Sequence, residues 1–211
     1  FLIYVSRTYR PFIPYLRGIH KTIDSWRGYR DMEGWKLQAS EIAAIKETEG
    51  HEEPDKPTEF VKPALRLSND VQCLLKLAKD EAPPKVIRRR KKTATALYGI
   101  GDASGKGFGH CLHVNGKSMA RFGTWSNEIE NKHSNYKEML NLVLAIKAAY
   151  NKGVLNGAEL FIFTDNYVAE CAYFNGGSNK SKELDRLVYE LWELQMQGNF
   201  SLHIFHIAGT R

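Results

Sequence analysis

The hydrophobic pattern in the second half of the chain predicts short strands and long amphipathic helices. The runs ALYGIGDAS, GFGHCLHV and SMARFGTW have strand lengths, and the glycine- and lysine-containing turns between them are typical of antiparallel hairpins. After them, SNYKEMLNLVLAIKAAYNKG repeats its apolar residues with the period of a helix. ELFIFT is a continuous apolar run, typical of a strand buried on both faces.

Two more helices and a last strand complete this pattern. YVAECAYFNGG and SKELDRLVYELWELQMQG have helical periodicity, and the second places its leucines, Val188 and Trp192 on one side. FSLHIFHIAG follows as a strand. Three strands, a helix, a strand, helices and a strand in this order predict an α/β fold, in which helices flank a mixed sheet.

The first part of the chain is organised differently. Apolar side chains at helical spacing predict a packing helix that ends near Gly28; they are Tyr15, Leu16, Ile19, Ile23 and Trp26. Residues 36–63 turn acidic and are broken by Gly50, Pro54 and Pro57, which predicts a loop or partly ordered connector.

A shorter helix is expected after this connector, over DVQCLLKLAKDE. Ser68 and Asn69 are good N-caps for it, and its predicted apolar stripe consists of Val71, Leu74, Leu75 and Ala78. We therefore expect three regions: a helical N-terminal segment over 1–35, an acidic connector with a short helix and a basic linker over 36–92, and an α/β domain over 93–211.

The net charge of +6 is concentrated in one place. Residues 85–92, KVIRRRKK, carry six cationic side chains, as many as the net charge of the whole chain. One interpretation is a solvated linker. The other is a contact to nucleic acid, because Lys and Arg that neutralise phosphates release counterions and add affinity. The candidate binding residues are Arg88, Arg89, Arg90, Lys91 and Lys92.

Composition excludes several classes of protein. With 211 residues, 43% of them apolar, the chain is long enough for a globular core. No run approaches the roughly 18 to 20 apolar residues of a membrane span. Three scattered cysteines lack a metal-binding or redox spacing, which favours an intracellular protein of the cytoplasm or nucleus. Because the chain lacks an initial Met and stops directly after an apolar segment, we expect it to be part of a longer protein.

Three acidic residues occupy unfavourable positions in the predicted elements. Glu138 shares a helical stripe with Leu142 and Ile146, so its carboxylate is expected to face the sheet. Asp102 lies in a glycine-rich first strand, where a ligand can approach the backbone, and Asp165 ends the buried strand. Like charges brought together raise each other's pKa unless cations hold them, and Mg²⁺ prefers such oxygen ligands.

With these three acids on these elements, the sequence resembles the ribonuclease H family. The matching motifs are GIGDASGKGFG with Asp102, SNYKEM with Glu138 and the pair Thr164–Asp165. The resemblance implies a five-stranded mixed sheet flanked by helices, and cleavage of the RNA strand of RNA/DNA hybrids. It also implies that the three acids are catalytic and hold two Mg²⁺ ions, for which Mn²⁺ substitutes.

Other positions extend or limit this resemblance. Asn135 matches a family position that contacts the hybrid in its minor groove, and a helix N-cap is an equally good interpretation. The family has a fourth acid after the last strand, beyond the end of this sequence. Residues 1–35 weakly resemble the segment that follows the polymerase in retroelement reverse transcriptases. The expected context is therefore a larger polymerase polyprotein.

Two alternatives stay open. A non-catalytic module of the same fold would bind nucleic acid through residues 88–92 without cleaving it. A transposase or integrase would take its third acid from a late helix, where Glu183, Glu190 and Glu193 are available. A phosphate-binding loop is disfavoured, because GDASGKG has three residues between its first glycine and its GK pair, where that motif has four.

Overall fold

The computed structural model describes residues 2–49, 59–79 and 95–208. The chain divides into two compact units, Phe1–Pro84 and Lys85–Arg211. The predicted basic residues 88–92 lie outside the described residues, so their role stays a prediction, as do the predicted domain limits at 35 and 92. In the described part of the chain, no helix is both long and apolar enough to cross a membrane.

The first unit is helical. Its α-helices are α1 (Leu2–Thr8), α2 (Ile13–Ile23), α3 (Ala39–Glu49) and α4 (Leu67–Ala78), with 3-10 turns at Arg10–Phe12 and Asp24–Trp26. The predicted packing helix corresponds to α2, which buries Tyr15 and Leu16. It ends earlier than predicted, because the chain tightens into a 3-10 turn at Asp24.

Helix α3 lies where the sequence predicted irregular structure, so that prediction is wrong for residues 39–49. The Gln38 N–H donates to Glu41 Oε2 over 2.7 Å, which satisfies a backbone donor at the start of the helix. The segment ASEIAAIKETE is rich in Ala, Glu and Lys, which have high helix propensity. The glycine and prolines that interrupt the pattern fall within residues 50–58, outside the described residues.

Helix α4 buries only Leu74 of the predicted stripe. Val71 is 39% exposed and Leu75 51% exposed, whereas Asp70 is fully buried. Asp70 Oδ2 accepts hydrogen bonds from Gly18 N–H at 2.9 Å and from Arg66 Nε at 2.8 Å. A Cβ on Gly18 would lie 2.4 Å from that oxygen, so α2 and α4 meet where α2 lacks a side chain. The predicted N-caps are also wrong, since the cap position is Arg66.

The second unit contains the predicted sheet. Its strands are β1 (Ala96–Ala103), β2 (Gly107–Val114), β3 (Lys117–Thr124), β4 (Glu159–Thr164) and β5 (Ser201–His206). Their order is β3-β2-β1-β4-β5; β1, β2 and β3 pair antiparallel, whereas β1, β4 and β5 pair parallel. The predicted five-stranded mixed sheet, preceded by a helical N-terminal part, is confirmed.

The described part of this unit also contains four helices, three of which bury apolar side chains. They are α5 (Asn127–Glu130), α6 (Ser134–Asn151), α7 (Tyr167–Phe174) and α8 (Lys182–Gly198). The apolar side predicted for α8 is confirmed, because its leucines, Val188 and Trp192 are all buried. Side chains of α6, α7 and α8 share one buried cluster with Leu97 of β1, Ile162 of β4 and Ile204 of β5. This cluster fixes the ends of β1 and β4 relative to α6.

Strand β4 is fully buried on one face only, so the prediction of burial on both faces is wrong. Leu160 and Ile162 point into the core, while Phe161 and Phe163 are partly exposed. Phe161 stacks between Tyr98 of β1 and His203 of β5, at ring-centroid distances of 5.6 and 4.8 Å. Aromatic contacts across three neighbouring strands therefore account for the continuous apolar run.

Candidate metal centre

The first predicted acid, Asp102, lies near the end of β1, opposite Gly109 of β2. Its backbone carbonyl accepts a hydrogen bond from Asn141 Nδ2 at 3.0 Å, while its side chain is exposed. The preceding Gly101 is needed for this contact, because a Cβ there would lie 2.9 Å from Asn141 Nδ2. The glycines around Asp102 therefore admit a side chain from α6.

Asn141 is a buried polar residue that the sequence analysis missed. It is fully buried in α6, and its Nδ2 also donates to the Gly109 carbonyl at 2.9 Å. Its Oδ1 lies 2.9 Å from His110 Nδ1, so this ring nitrogen carries the proton. One amide thus ties α6 to β1 and β2 beside Asp102. An Asn three residues after Glu138, within an apolar run, was the signal in the sequence.

Glu138 has the environment that its helical position predicted. It is 6% exposed, and its Oε1 accepts a hydrogen bond from Ala103 N–H at 3.1 Å. Its Oε2 is buried and has no hydrogen-bond partner within the described residues. Burial, followed by the charges of Asp102 and Asp165, raises the pKa of Glu138 to about 7, against the lowering effect of the Ala103 N–H.

Asp165 follows β4 directly, and its side chain is exposed, contrary to the expectation of a partly buried charge. Thr164 before it is buried, and its Oγ1 accepts a hydrogen bond from Asn166 N–H at 3.2 Å. Asp102, Glu138 and Asp165 each offer an oxygen atom, and these atoms lie within 4.8 Å of one another. The structure therefore brings together the three acids that the sequence singled out.

The turn between β1 and β2, which follows Asp102, is held by two side chains from other parts of this unit. Lys137 is 5% exposed, and its Nζ donates to the carbonyls of Gly105 and Glu130 at 2.9 and 2.8 Å. Trp125 Nε1 donates to the Ser104 carbonyl at 3.1 Å. Neither residue was singled out from the sequence, because both act on backbone atoms that are distant in sequence. They hold the turn that follows Asp102.

Asn135 is half-buried in the first turn of α6, one turn before Glu138. The N-cap of α6 is His133, whose Nδ1 accepts a hydrogen bond from Asn135 N–H at 3.3 Å. Asn135 Oδ1 instead accepts a hydrogen bond from Asn166 Nδ2 at 2.9 Å. The cap interpretation of Asn135 is therefore wrong, and its contact with nucleic acid stays a prediction.

Acids on the late helix have other roles. Glu183 pairs with Lys132 and Glu190 pairs with Lys147, away from the three-acid cluster. Asp185 is buried, and its Oδ1 accepts a hydrogen bond from Ser178 N–H at 3.1 Å. These contacts disfavour a transposase or integrase in which α8 supplies the third acid.

A divalent cation fits the cluster. All three ligand atoms are carboxylate oxygens, the donors that hard cations such as Mg²⁺ prefer. The buried Glu138 Oε2 is an acceptor without a partner in the described part of the chain, and a cation would satisfy it. The same cation would offset the repulsion among the three carboxylates.

Comparisons with known proteins give likenesses in structure. No protein-family model matches the chain, and no curated protein matches it in sequence. The chain is similar to RNase H1 from the halophilic archaeon Halobacterium salinarum NRC-1, with 20% identity, 55% of this chain and 86% of that chain covered, and a TM-score of 0.42. It is also similar to LC11-RNase H1 in complex with an RNA/DNA hybrid, with 16% identity and a TM-score of 0.44. That match covers 54% of this chain and 84% of LC11-RNase H1.

A third likeness extends over both units. A foamy viral protease-reverse transcriptase in complex with double-stranded DNA matches at 12% identity and a TM-score of 0.40. The match covers 94% of this chain and 35% of that structure, so the chain spans about a third of its length. The order and directions of the five strands, with helices packed on the sheet, identify a ribonuclease H-like fold in this chain.

Proposed function

We propose that this chain is a metal-dependent ribonuclease that cleaves the RNA strand of RNA/DNA hybrids. The observation that supports this best is the convergence of oxygen atoms from Asp102, Glu138 and Asp165 within 4.8 Å of one another. Three neighbouring carboxylates, one of them with a buried oxygen that has no partner among the described residues, are costly to stability, and a catalytic metal site accounts for that cost.

The proposed roles follow from the surroundings of each carboxylate. Asp102 and Asp165 are exposed, so they are open to a phosphodiester, and Glu138 lies buried beside them. The three side chains would hold Mg²⁺, with Mn²⁺ as a substitute and two ions expected. Bound metal of this kind activates water and neutralises charge on the scissile phosphate.

Hydrogen bonds from neighbouring groups position the carboxylates that are proposed to bind metal. The Ala103 N–H holds Glu138 Oε1, which leaves Oε2 as the atom for a cation. Asn141 fixes the backbone of Asp102: its Oδ1 accepts a hydrogen bond from His110 Nδ1, and its Nδ2 donates one to the Asp102 carbonyl. Above about pH 7 the Glu138 carboxylate is ionised and ready to bind metal, and below it a proton occupies the site.

The wider context is also a proposal. The helical first unit ahead of the ribonuclease H-like unit fits the connecting part of a reverse transcriptase within a larger polyprotein. The thiols of Cys73, Cys111 and Cys171 fit a reducing intracellular compartment. The reading frame that encodes the chain tests this context, since a polymerase domain is expected directly upstream of Phe1.

The decisive experiment is cleavage of end-labelled substrates by the whole chain in Mg²⁺ and in Mn²⁺. We expect cutting of the RNA strand of a hybrid, and none of duplex DNA. Asp102→Asn is expected to abolish it, whereas Glu128→Gln, which removes an exposed acid on α5, is expected to leave it unchanged. Salt-sensitive hybrid binding without cutting would reject this proposal in favour of a binding module.

A further inference from the structure

Two asparagine amides meet at the margin of the three-acid cluster. Asn135 lies one turn before Glu138 on α6, and Asn166 directly follows Asp165. Asn166 Nδ2 lies 2.9 Å from Asn135 Oδ1, a contact between residues 31 positions apart. Both side chains are partly exposed, so a ligand at the cluster can reach this pair.

The direction of this hydrogen bond follows from the chemistry of its neighbours. Asn166 is the N-cap of α7, and its side-chain oxygen accepts a hydrogen bond from Ala169 N–H at 2.8 Å. A backbone N–H can only donate, so the atom facing Ala169 is Oδ1 and the atom facing Asn135 is Nδ2. Nδ2 in turn can only donate, so Asn135 must present its Oδ1 to Asn166.

The remaining end of the Asn135 amide is therefore a donor. Its Nδ2 has two hydrogens and no hydrogen-bond partner among the residues that the structure describes. Without Asn166, the amide of Asn135 could rotate by half a turn and present either a donor or an acceptor. The hydrogen bond by which Asn166 caps α7 therefore determines that the donor end of the Asn135 amide, and not its acceptor end, is presented to a ligand.

We propose that Asn166 is a positioning residue that fixes the Asn135 amide as a hydrogen-bond donor to an acceptor in the minor groove of the bound hybrid. This inference rests on the proposed function. The acceptor is either the 2′-oxygen of the RNA strand or a base atom in the minor groove, N3 of a purine or O2 of a pyrimidine. A fixed donor discriminates between ligand groups because an unmatched polar group is costly.

Two substitutions of Asn166 separate its roles. Asn166→Ser keeps a good N-cap for α7 but removes the donor to Asn135. Asn166→Asp also keeps the cap but presents only acceptors, so it would turn the Asn135 amide around. Asn135→Ala removes the amide itself, and Glu128→Gln on α5 serves as an exposed control.

Binding is measured by fluorescence anisotropy of a labelled RNA/DNA hybrid, with Ca²⁺ in place of Mg²⁺ to prevent turnover. We expect Asn166→Ser and Asn135→Ala each to weaken binding about three- to tenfold. The double variant is expected to be no weaker than Asn135→Ala, because both changes remove one interaction. The melting temperature and the Mn²⁺ affinity of Asn166→Ser are expected to equal those of the unsubstituted chain.

Altered hybrids identify the acceptor. Replacing 2′-hydroxyls of the RNA strand by hydrogen tests the 2′-oxygen, and 3-deazapurines in the DNA strand test N3 of the bases. One of these changes is expected to weaken binding of the unsubstituted chain and to have no effect on Asn135→Ala. A 2′-O-methyl group keeps the acceptor and removes the donor, so its retention of Asn135-dependent binding would support the proposed direction.

Several results would overturn the inference. Unchanged binding by Asn166→Ser, or additive losses in the double variant, would show that Asn166 does not act through Asn135. An equal loss of Mn²⁺ affinity would show a general disturbance of the cluster instead. If the unsubstituted chain binds hybrid but does not cut it in Mg²⁺, the nuclease proposal fails while this binding test still decides the inference.

Discussion

Asp70 in the first unit and Glu138 in the second are both carboxylates buried on the inner face of a helix, yet their surroundings differ. Asp70 is fully buried and accepts hydrogen bonds from Gly18 N–H and from the Arg66 guanidinium. Glu138 is 6% exposed and accepts one from Ala103 N–H, while its Oε2 has no partner in the part of the chain described.

The difference separates a structural acid from a candidate functional one. Buried charges are normally paired, and Asp70 with Arg66 follows that rule. Glu138 lies beside Asp102 and Asp165, so its neighbours have the same charge and add to the cost of burial. Burial alone therefore does not mark a functional acid; burial with an unsatisfied oxygen beside like charges does.

The largest effect is expected on catalysis. Glu138→Gln should lower hybrid cleavage at least about a thousandfold, because an amide is a poorer metal ligand than a carboxylate and several kcal/mol of charge stabilisation are lost. Single-turnover cleavage in Mg²⁺ at about pH 8 measures it, where the wild-type carboxylate is ionised. Asp70→Asn provides the comparison: a loss of similar size in folded Asp70→Asn protein would contradict the distinction between the two acids.

The next effect is on the stability of the first unit. Asp70→Asn is expected to lower its free energy of unfolding by about 3–5 kcal/mol, because the Arg66 charge then lacks its buried partner. Hydrogen exchange of amides in α2 and α4 measures this unit by itself. The control is Asp24→Asn, which breaks the exposed pair with Arg27 and should cost at most about 1 kcal/mol. Equal losses in the two variants would refute the argument.

A smaller effect is expected on metal affinity as a function of pH. A proton and a divalent cation compete for Glu138, whose pKa is raised to about 7. Mn²⁺ affinity should therefore rise about tenfold per pH unit up to about pH 7 and level off above it. Calorimetric titration at several pH values tests this, with proton uptake or release recorded alongside. Affinity that does not change between about pH 5.5 and 7 would rule out Glu138 as a ligand.

The smallest effect concerns the stability of the metal-free chain. Because the pKa of Glu138 is raised by folding, from 4.5 to about 7, its contribution to stability is present below about pH 4.5 and is lost as pH rises through 7. Glu138→Gln cannot ionise, so it should raise the melting temperature by several °C at pH 8 and leave it nearly unchanged near pH 4.5. The exposed Glu128→Gln should change neither value, and an equal shift at both pH values would contradict the assignment.

The strands of the second unit could be predicted because the hydrophobic pattern that indicates each strand lies within the strand itself. Each of the five strands overlaps a segment that was predicted to be a strand, and the three acids lie on the elements to which the sequence pattern assigned them. The degree of exposure was not predictable, because Asp102 and Asp165 lie at strand ends that the surrounding turns leave open.

The predictions from sequence failed where a contact joins residues that are distant in the sequence. The buried face of α4 was mispredicted because Asp70 is satisfied by Gly18, 52 residues earlier. Asn141 and Asn166 were missed because their partners, Asp102 and Asn135, lie 39 and 31 residues away. Polar contacts of this kind leave no periodic trace in the sequence.

By itself, the sequence determined the order of elements, the sheet they form and the three carboxylates that approach one another. Hydrophobic periodicity is set by neighbouring residues, and in the second unit it was enough to predict the strands, the long helices and the buried side of α8. Only the tertiary structure decided that Asp102 and Asp165 are exposed, which Glu138 oxygen lacks a partner among the described residues, and which way the Asn135 amide points. Those properties depend on the desolvation and hydrogen bonding of each group, and groups distant along the chain supply both.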